Sequence, residues 1–451
     1  MRFLNYIAGQ WVPPHHDRWF ANINPADTRD EIGQFPLSDA ADLERAVRAA
    51  ADAFGQWSRI PAPQRGELIR RAGDIFHRRK EELAAIMTRE MGKPLFETRG
   101  DIQEAIDTAY YSATETRRLF GHTTPSELPN KMNLSFRMPI GVCGIITAWN
   151  FPIAVPSWKI FPALAAGNTI VWKPSDDAPH SANIFAEILQ EAGIPSGVFN
   201  VVHGNAEAGS ALVEHPSVRL IAFTGSTATG KQIAQRCGAL NKKVSLEMGG
   251  KNAVIIMDDA NLELALDGVL WGAFGTTGQR CTATSRLILH APIHDRFLEM
   301  LTERASKLRI GPGLDPATQM GPVINQRQLE KILGYIAIGT AEGARLITGG
   351  NRLTRGELEH GFFVEPTIFA DVTPTMRIWR EEIFGPVLSV ARADSFEHAI
   401  ALANDSDYGL SSAIYTGSVE YAFAAMRDIE AGITYINAPT IGAEAHMPFG
   451  G

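Results

Sequence analysis

Three features of this chain predict an α/β protein built as two doubly wound parallel-sheet lobes with a projecting β-arm. Buried-strand runs alternate with helical stretches from Val142 to Phe223, and alternate again from Ala253 to Tyr415. Alternation of that kind implies parallel sheets covered on both faces. Between these runs and the N-terminal helices, the polar breaker run Thr123-Thr124-Pro125-Ser126-Glu127-Leu128-Pro129 precedes an alternating strand, Asn133-Leu134-Ser135-Phe136-Arg137-Met138. That is the pattern of an isolated arm, which needs a partner to cover it.

Taken in order, an extended piece over residues 6–12 leads to a loop at Asn24-Pro25. Ser38 is placed as a helix N-cap, with Asp39 and Asp42 suited to the positive end of the macrodipole. Leu43, Ala46, Val47, Ala50 and Phe54 form that helix's apolar face, and Pro61 and Pro63 end the pattern. Two more packing helices follow, one through Leu68, Ala72, Ile75 and Phe76, the other through Leu83, Ile86 and Met87. The first alternation then runs strand 142–147, helix 157–166, strand 169–173, helix 182–192, strand 198–202 and strand 220–223. Gly193 and Pro195 stop the second of those helices, as a C-cap glycine followed by proline should. The second alternation places strands at 253–256, 287–289, 344–347, 387–390 and 412–415. No internal repeat or low-complexity segment interrupts it.

At 451 residues the chain has room for about two or three domains. Its 45% apolar and 20% charged residues are ordinary globular composition. A net charge of -8 argues against a nucleic-acid partner, which would need a basic face for phosphates. Cys143, Cys237 and Cys281 form no Cys-x-x-Cys or Cys/His cluster, so no metal site is expected, and so few thiols fit a reducing compartment. Residues 1–6 lack the apolar run of a secretory signal, and runs such as 140–146 are too short to span a bilayer. The expectation is a soluble cytoplasmic protein with no membrane partner.

Chemistry concentrates between Glu247 and Cys281. Ser245-Leu246-Glu247-Met248-Gly249-Gly250-Lys251-Asn252 sets a carboxylate before a glycine pair, and Thr277-Gly278-Gln279-Arg280-Cys281-Thr282 sets a thiol in a polar, glycine-rich turn. A thiol that attacks a carbonyl and a carboxylate that later activates water together suggest covalent catalysis through a thioester. Cys143 lies in an apolar strand and Cys237 at a helix end; buried thiols of that kind are usually inert. Ala148-Trp149-Asn150-Phe151-Pro152 ends a strand, where the Asn150 amide can either donate to an oxyanion, worth roughly 3 kcal/mol of barrier, or bond its own turn. Trp172-Lys173-Pro174-Ser175-Asp176 ends another strand and can meet an adenosine ribose or form a plain solvated loop. Phe223-Thr224-Gly225-Ser226 enters a helix whose N-terminus can receive a pyrophosphate, although glycines at such turns are also ordinary structure. The G-x-G-x-x-G fingerprint is absent, as is a serine elbow with a histidine partner.

In this order, joined by Glu381-Glu382-Ile383-Phe384-Gly385-Pro386 and Pro448-Phe449-Gly450-Gly451, these motifs resemble the NAD(P)-dependent aldehyde dehydrogenase superfamily, in its hydrolytic branch, over nearly the whole chain. The resemblance implies a Rossmann-like cofactor domain over 1–117 and 139–246, a catalytic domain over 247–437, an oligomerisation arm over 118–138, and a C-terminal end, 438–451, returning toward the cofactor side. It implies that Cys281 is the nucleophile, that Asn150 and the Cys281 N–H hold the oxyanion, and that Glu247 activates water, with Lys159 on the proton path. Thr147, Trp149, Lys173, Ser175, Asp176, Phe223, Gly225, Ser226, Gly249, Glu382 and Phe384 would bind the cofactor, while Phe151 and Phe449 would wall the aldehyde tunnel. The implied partners are an aldehyde and identical subunits, as a homodimer or homotetramer.

Asp176 stands where NAD-preferring members commonly have Glu; a carboxylate there still repels a 2′-phosphate, which favours NAD while leaving NADP open. Met248 replaces the more usual Leu, a volume-conserving change. The sequence ends at Gly451, where members normally continue into a final oligomerisation strand. Arg280 has three readings: it binds a remote carboxylate on the substrate, as in semialdehyde dehydrogenases, it lowers the thiol pKa, or it ties down a loop. A CoA-acylating member would generally lack Glu247. A cofactor-independent thiol esterase would leave the nucleotide motifs unexplained, and a catalytically dead binding protein would not need Cys281, Glu247 and Asn150 together.

Overall fold

The computed structural model describes residues 1–450; Gly451, the last residue of the Pro448-Phe449-Gly450-Gly451 motif, lies outside the described residues. The chain divides into two compact units, one of Met1–Ile23, Glu31–Glu90 and Thr98–Glu247, the other of Asn24–Asp30, Met91–Glu97 and Met248–Gly451.

The first unit opens with β1 (Asn5–Ile7), β2 (Gln10–Val12) and a separate hairpin of β3 (Trp19–Ile23) and β4 (Glu31–Pro36). Helices α1 (Ala40–Trp57), α2 (Ala62–Arg78), α3 (Lys80–Met91) and α4 (Leu95–Glu115) follow. The cap of α1 is Asp39, not Ser38 as the sequence led us to expect. Asp39 accepts the N–H groups of Ala41 and Asp42, and Asp42 returns a bond to the Asp39 N–H, whereas the buried Ser38 hydroxyl is taken by the Asn5 amide at 2.9 Å. Helix α4 was not foreseen, because its buried stripe of Ile102, Ala105, Ile106, Ala109 and Ala113 is mostly alanine and carries little hydropathy signal.

After the arm hairpin of β5 (Thr123–Pro125) and β6 (Met132–Leu134) come β7 (Val142–Ile146), α5 (Ala154–Ala165), β8 (Thr169–Lys173), α6 (Pro179–Glu191), β9 (Phe199–Val201), α7 (Ala206–Glu214), β10 (Val218–Thr224), α8 (Thr227–Ala239) and β11 (Lys243–Glu247). The sheet order is β11-β10-β7-β8-β9-β1-β2; β11 through β9 run parallel, and β1 and β2 are antiparallel at the edge. Strands β7 and β8 are buried along their whole length, as expected of strands covered on both faces. The arm is shorter than its alternating pattern predicted: β6 ends at Leu134, and Phe136 and Met138 lie exposed beyond it.

The second unit contains β12 (Asn252–Ile256), α9 (Leu262–Phe274), β13 (Thr284–His290), α10 (His294–Ser306), α11 (Gln326–Ala341), β14 (Arg345–Thr348), β15 (Thr367–Ala370), α12 (Arg377–Arg380), β16 (Val387–Ala393), α13 (Phe396–Asn404), β17 (Ser411–Tyr415), α14 (Val419–Asp428) and β18 (Ile433–Ile436). Its order is β14-β15-β16-β13-β12-β17-β18, parallel except where β14 runs antiparallel to β15 at the edge. Period-two alternation splits its core in two. Ala253, Ile255 and Ile288 pack with α11 and α13 residues such as Leu329, Ile332 and Ala399, while Val254, Ile256, Leu287 and Leu289 pack with Val269 of α9 and Phe297 of α10. The sheet is therefore doubly wound. Among the described residues no helix is long and apolar enough to cross a membrane.

Candidate active site

In the first sheet β7 is flanked by β8 on one side and β10 on the other, so the strand order reverses there. Ligands of open α/β sheets bind at the carboxyl ends of strands beside such a reversal. Register pairs Ile146 with Lys173 and with Phe223, and Thr224 with Glu247. The ends of four strands thus bring Thr147, Lys173, Gly225 and Glu247 to one edge.

Each of these ends has a local reason for its shape. The Thr147 hydroxyl accepts the Trp172 indole N–H at 3.0 Å, which fixes the turn carrying Trp149, the buried Asn150 and the half-buried Phe151. Ser175 accepts the Asp177 N–H at 3.2 Å and shapes the loop around Asp176. Burial pulls the Lys173 ammonium below its usual range, and Asp176 and Asp177 oppose that pull. Gly225 donates its N–H to the Glu247 carbonyl at 3.1 Å, and a Cβ there would sit 2.5 Å from the Phe223 ring, so close packing rather than an unusual φ demands glycine. Ser226 caps α8 by accepting the Thr229 N–H, which turns the helix's positive end toward this edge. Beside it the Thr224 hydroxyl is buried with no hydrogen-bond partner among the described residues.

Lys159, on α5, and Glu247, at the end of β11, act on each other. Burial pulls Lys159 down to about 8 and pushes Glu247 above the ordinary carboxylate range; in each case the partner's charge opposes the shift. A carboxylate moved toward neutrality is better matched to general-base work.

The second unit assembles the thiol side. Cys281 is half-exposed while Cys143 and Cys237 are buried, and burial pushes the Cys143 thiol up to about 12. The turn before Cys281, Gly275–Gly278, holds Thr276, Thr277 and Gly278 at φ of 51°, 56° and 68°. The left-handed region is a true outlier for β-branched residues. Asn252 donates to the carbonyls of Cys281 (2.7 Å) and Ala283 (2.8 Å), and a Cβ on Gly250 would fall 2.2 Å from the Cys281 oxygen. The glycine pair of the Glu247 motif therefore abuts the thiol residue's own backbone.

Glu382 lies against the same pair. It accepts the Gly250 N–H at 3.0 Å, and a Cβ on Gly249 would come within 2.3 Å of its Oε2. Burial raises Glu382, with the Gly250 N–H, Lys331 and Lys251 pulling back. Phe384 has φ 61°, and its carbonyl accepts the Gln328 amide at 2.6 Å. Phe449 is half-buried.

Arg280 is held by its neighbours. Its guanidinium pairs with Glu97 at 2.8 Å, donates to the Thr276 hydroxyl at 2.9 Å and lies 5.0 Å over the Trp271 ring. These contacts are those of the loop-anchor reading, with the guanidinium's charge paired to Glu97.

Two groups escaped the sequence reading. Glu97 has a buried carboxylate that only tertiary contact could reveal. Lys251 is 1% exposed, its Nζ has no hydrogen-bond partner among the described residues, and burial pulls it down to about 7. Its place directly after the glycine pair was the only available signal.

Comparison with known proteins agrees with this geometry. The model of the aldehyde dehydrogenase family matches residues 11–451. The alpha-ketoglutaric semialdehyde dehydrogenase of Bacillus subtilis is 42% identical over 450 residues, spanning 100% of this chain and 92% of that protein. The 2,5-dioxopentanoate dehydrogenase of Saccharolobus solfataricus is 39% identical over 454 residues, spanning 100% and 94%. The crystal structure of an NAD-dependent aldehyde dehydrogenase from Sinorhizobium meliloti superposes with a TM-score of 0.97 at 37% identity, covering 100% of this chain and 89% of that one. With two doubly wound sheets, a half-exposed thiol and a half-buried carboxylate set in the family's motifs, this chain belongs to the aldehyde dehydrogenase family.

Proposed function

We propose that the protein oxidises a carboxylated aldehyde of the 2,5-dioxopentanoate class to the corresponding dicarboxylic acid, with NAD as hydride acceptor. The substrate class is supported by two relatives of nearly equal length that carry that activity in their names. The observation that carries the reaction is the thiol: Cys281 alone of the three cysteines escapes burial, and its carbonyl abuts Gly250, three residues beyond Glu247.

In this reading the Cys281 thiolate adds to the aldehyde carbon, and the Asn150 amide and the Cys281 N–H hold the resulting oxyanion. A nicotinamide bound there would supply the hydride acceptor, and once the hydride has left that carbon an acyl thioester remains on Cys281. Glu247 then removes a proton from water as the water attacks the thioester; the C–S bond breaks, the acid departs and the thiolate returns. Lys159, whose charge acts on Glu247, would pass that proton onward. In the first unit the residues suit a dinucleotide: the Thr224 hydroxyl, which has no hydrogen-bond partner among the described residues, Gly225 and Ser226 for phosphates, and Lys173, Ser175 and Asp176 for the adenosine ribose. By their motifs, Thr147, Trp149 and Phe223, and Gly249, Glu382 and Phe384 of the second unit, would meet the rest of it. The Asp176 carboxylate favours NAD by repelling a 2′-phosphate. Three cysteines and no disulfide fit the cytoplasm.

The test is NAD- and NADP-linked turnover on a panel of neutral, aromatic and carboxylated aldehydes. The highest kcat/KM is expected for the carboxylated dioxo acid with NAD. Cys281→Ser should nearly abolish turnover, and Glu247→Gln should spare an initial burst of reduced cofactor while blocking steady turnover. Higher kcat/KM for neutral aldehydes would reject the substrate class, and undiminished turnover by Cys281→Ser would reject the chemistry.

A further inference from the structure

The segment Met91–Glu97 supplies no group to the reaction above, yet it holds the loop that leads into Cys281. The Glu97 side chain is 1% exposed. Its Oε1 accepts the Thr276 N–H at 2.9 Å, and its Oε2 accepts both the Thr276 hydroxyl and an N–H of the Arg280 guanidinium, the latter at 2.8 Å. Arg280 closes the ring by donating through Nε to the Thr276 hydroxyl at 2.9 Å. One carboxylate thus grips both ends of a five-residue turn, and its second grip is on the residue directly before Cys281.

That turn would not hold its shape unaided. Thr276 and Thr277 both occupy the left-handed region, which β-branched side chains avoid and which persists only where the surroundings over-determine it. Several contacts help: the Thr277 hydroxyl donates to the Gly321 carbonyl at 2.9 Å, and the Gln279 amide oxygen accepts the Ile324 N–H at 3.0 Å. Gly278 lies so close to the Gly385 carbonyl that a Cβ there would fall 2.1 Å from its oxygen. The backbone N–H of Thr276 itself goes to Glu97. A buried carboxylate is costly unless it is paired and hydrogen-bonded, and here the Arg280 cation and two Thr276 donors meet both conditions. Arg280 is seated in turn over Trp271, whose ring lies 5.5 Å from that of Phe96, the neighbour of Glu97.

We propose that Glu97 is a positioning residue for Cys281: it clamps the 276–280 turn in its left-handed course and keeps the Arg280 charge away from the thiol and the substrate. The proposal rests on the reading of Cys281 as nucleophile. It also implies that recognition of a substrate carboxylate belongs to a group other than Arg280.

The experiment compares wild type, Glu97→Gln and Glu97→Asp by steady-state kinetics, by the pH dependence of iodoacetamide alkylation mapped to Cys281, and by urea unfolding. In Glu97→Gln the turn loosens and Arg280 is released toward the thiol. The expected result is a kcat lower by roughly ten-fold or more, with KM for NAD and aldehyde changed by less than about three-fold. The alkylation profile should also move to lower pH, because an unpaired guanidinium nearby favours the thiolate. Loss of stability alone would not move that profile in a protein still folded at the assay urea concentration. Glu97→Asp, which keeps the charge, should recover part of the kcat and restore the profile; it also serves as the test variant if Glu97→Gln does not fold, the shortened arm then giving the smaller kcat loss. A folded Glu97→Gln with wild-type kcat and an unmoved profile would overturn the clamp. Cys281→Ser retaining turnover would instead overturn the nucleophile reading, whatever Glu97 does.

Discussion

Lys159 and Glu247 are each displaced by burial and each restrained by the other, so their protonation is a joint property. The sign of the coupling gives a test. The ammonium of Lys159 holds Glu247 down against desolvation, so Lys159→Met should raise the Glu247 pKa. If Glu247 is the base that releases the acid, the acidic limb of the kcat–pH profile must then move to higher pH, with kcat at the alkaline plateau less affected. An unmoved limb would mean that the limb belongs to another group. Candidate residues at this scale can be picked from the sequence because motif chemistry is local: a carboxylate before two glycines, a thiol after Gly-Gln-Arg. The role of Arg280 was not legible there, because three readings fitted its position and only its contacts with Glu97, Thr276 and Trp271 separate them.

Helix α6 follows the Lys173–Asp176 loop and starts at Pro179 with no side-chain cap of its own. Its cap comes from Glu90, at the end of α3. That carboxylate accepts the N–H groups of His180 and Ser181 and the Ser181 hydroxyl. Removing it by Glu90→Ala leaves these donors buried and unmet, which should cost about 1–3 kcal/mol, read as a lower urea midpoint at constant m. Burial pushes Glu90 up to about 7, against the pull of those donors. A carboxyl that binds its proton more tightly in the folded state adds its full share of stability below the unfolded value of about 4.3, and loses it as pH rises toward 7. Stability measured from pH 5 to 8 should therefore fall more steeply for wild type than for Glu90→Gln. No sequence pattern announces such a cap, since it joins residues ninety positions apart. The Asp39 cap of α1, with Asp42 at the third helical position, was within reach of the sequence; it was misplaced by one residue because Ser38 has the same chemistry and its engagement with Asn5 is tertiary.

The molecule as a whole leaves an apolar hairpin uncovered. Met132, Leu134, Phe136 and Met138 are 68%, 55%, 76% and 77% exposed, on an arm whose two strands, among the described residues, pair only with each other. A two-stranded ribbon of this kind is marginal alone. The proposal of a homodimer or homotetramer assembled through the arm predicts that Leu134→Asp combined with Phe136→Asp lowers the mass seen by light scattering and leaves the far-UV circular dichroism unchanged. An unchanged mass would place the interface elsewhere.

Alternating buried runs were enough to read two doubly wound sheets from the chain, because strands covered on both faces must be apolar throughout and the helices between them must show a 3.6-residue stripe. The edge behaviour of β14, the length of the arm and helix α4 escaped, since edge strands and alanine-rich helices carry weak patterns. Motif order offered Cys281, Glu247 and Asn150 as the candidate catalytic residues. That Thr276 and Thr277 adopt a left-handed course, that Glu97 and Arg280 pair with each other, and that the buried Lys251 ammonium has no hydrogen-bond partner among the described residues all depend on groups distant in sequence meeting in a low-dielectric interior. Burial and pairing are properties of the packed chain, and no local reading of residues contains them.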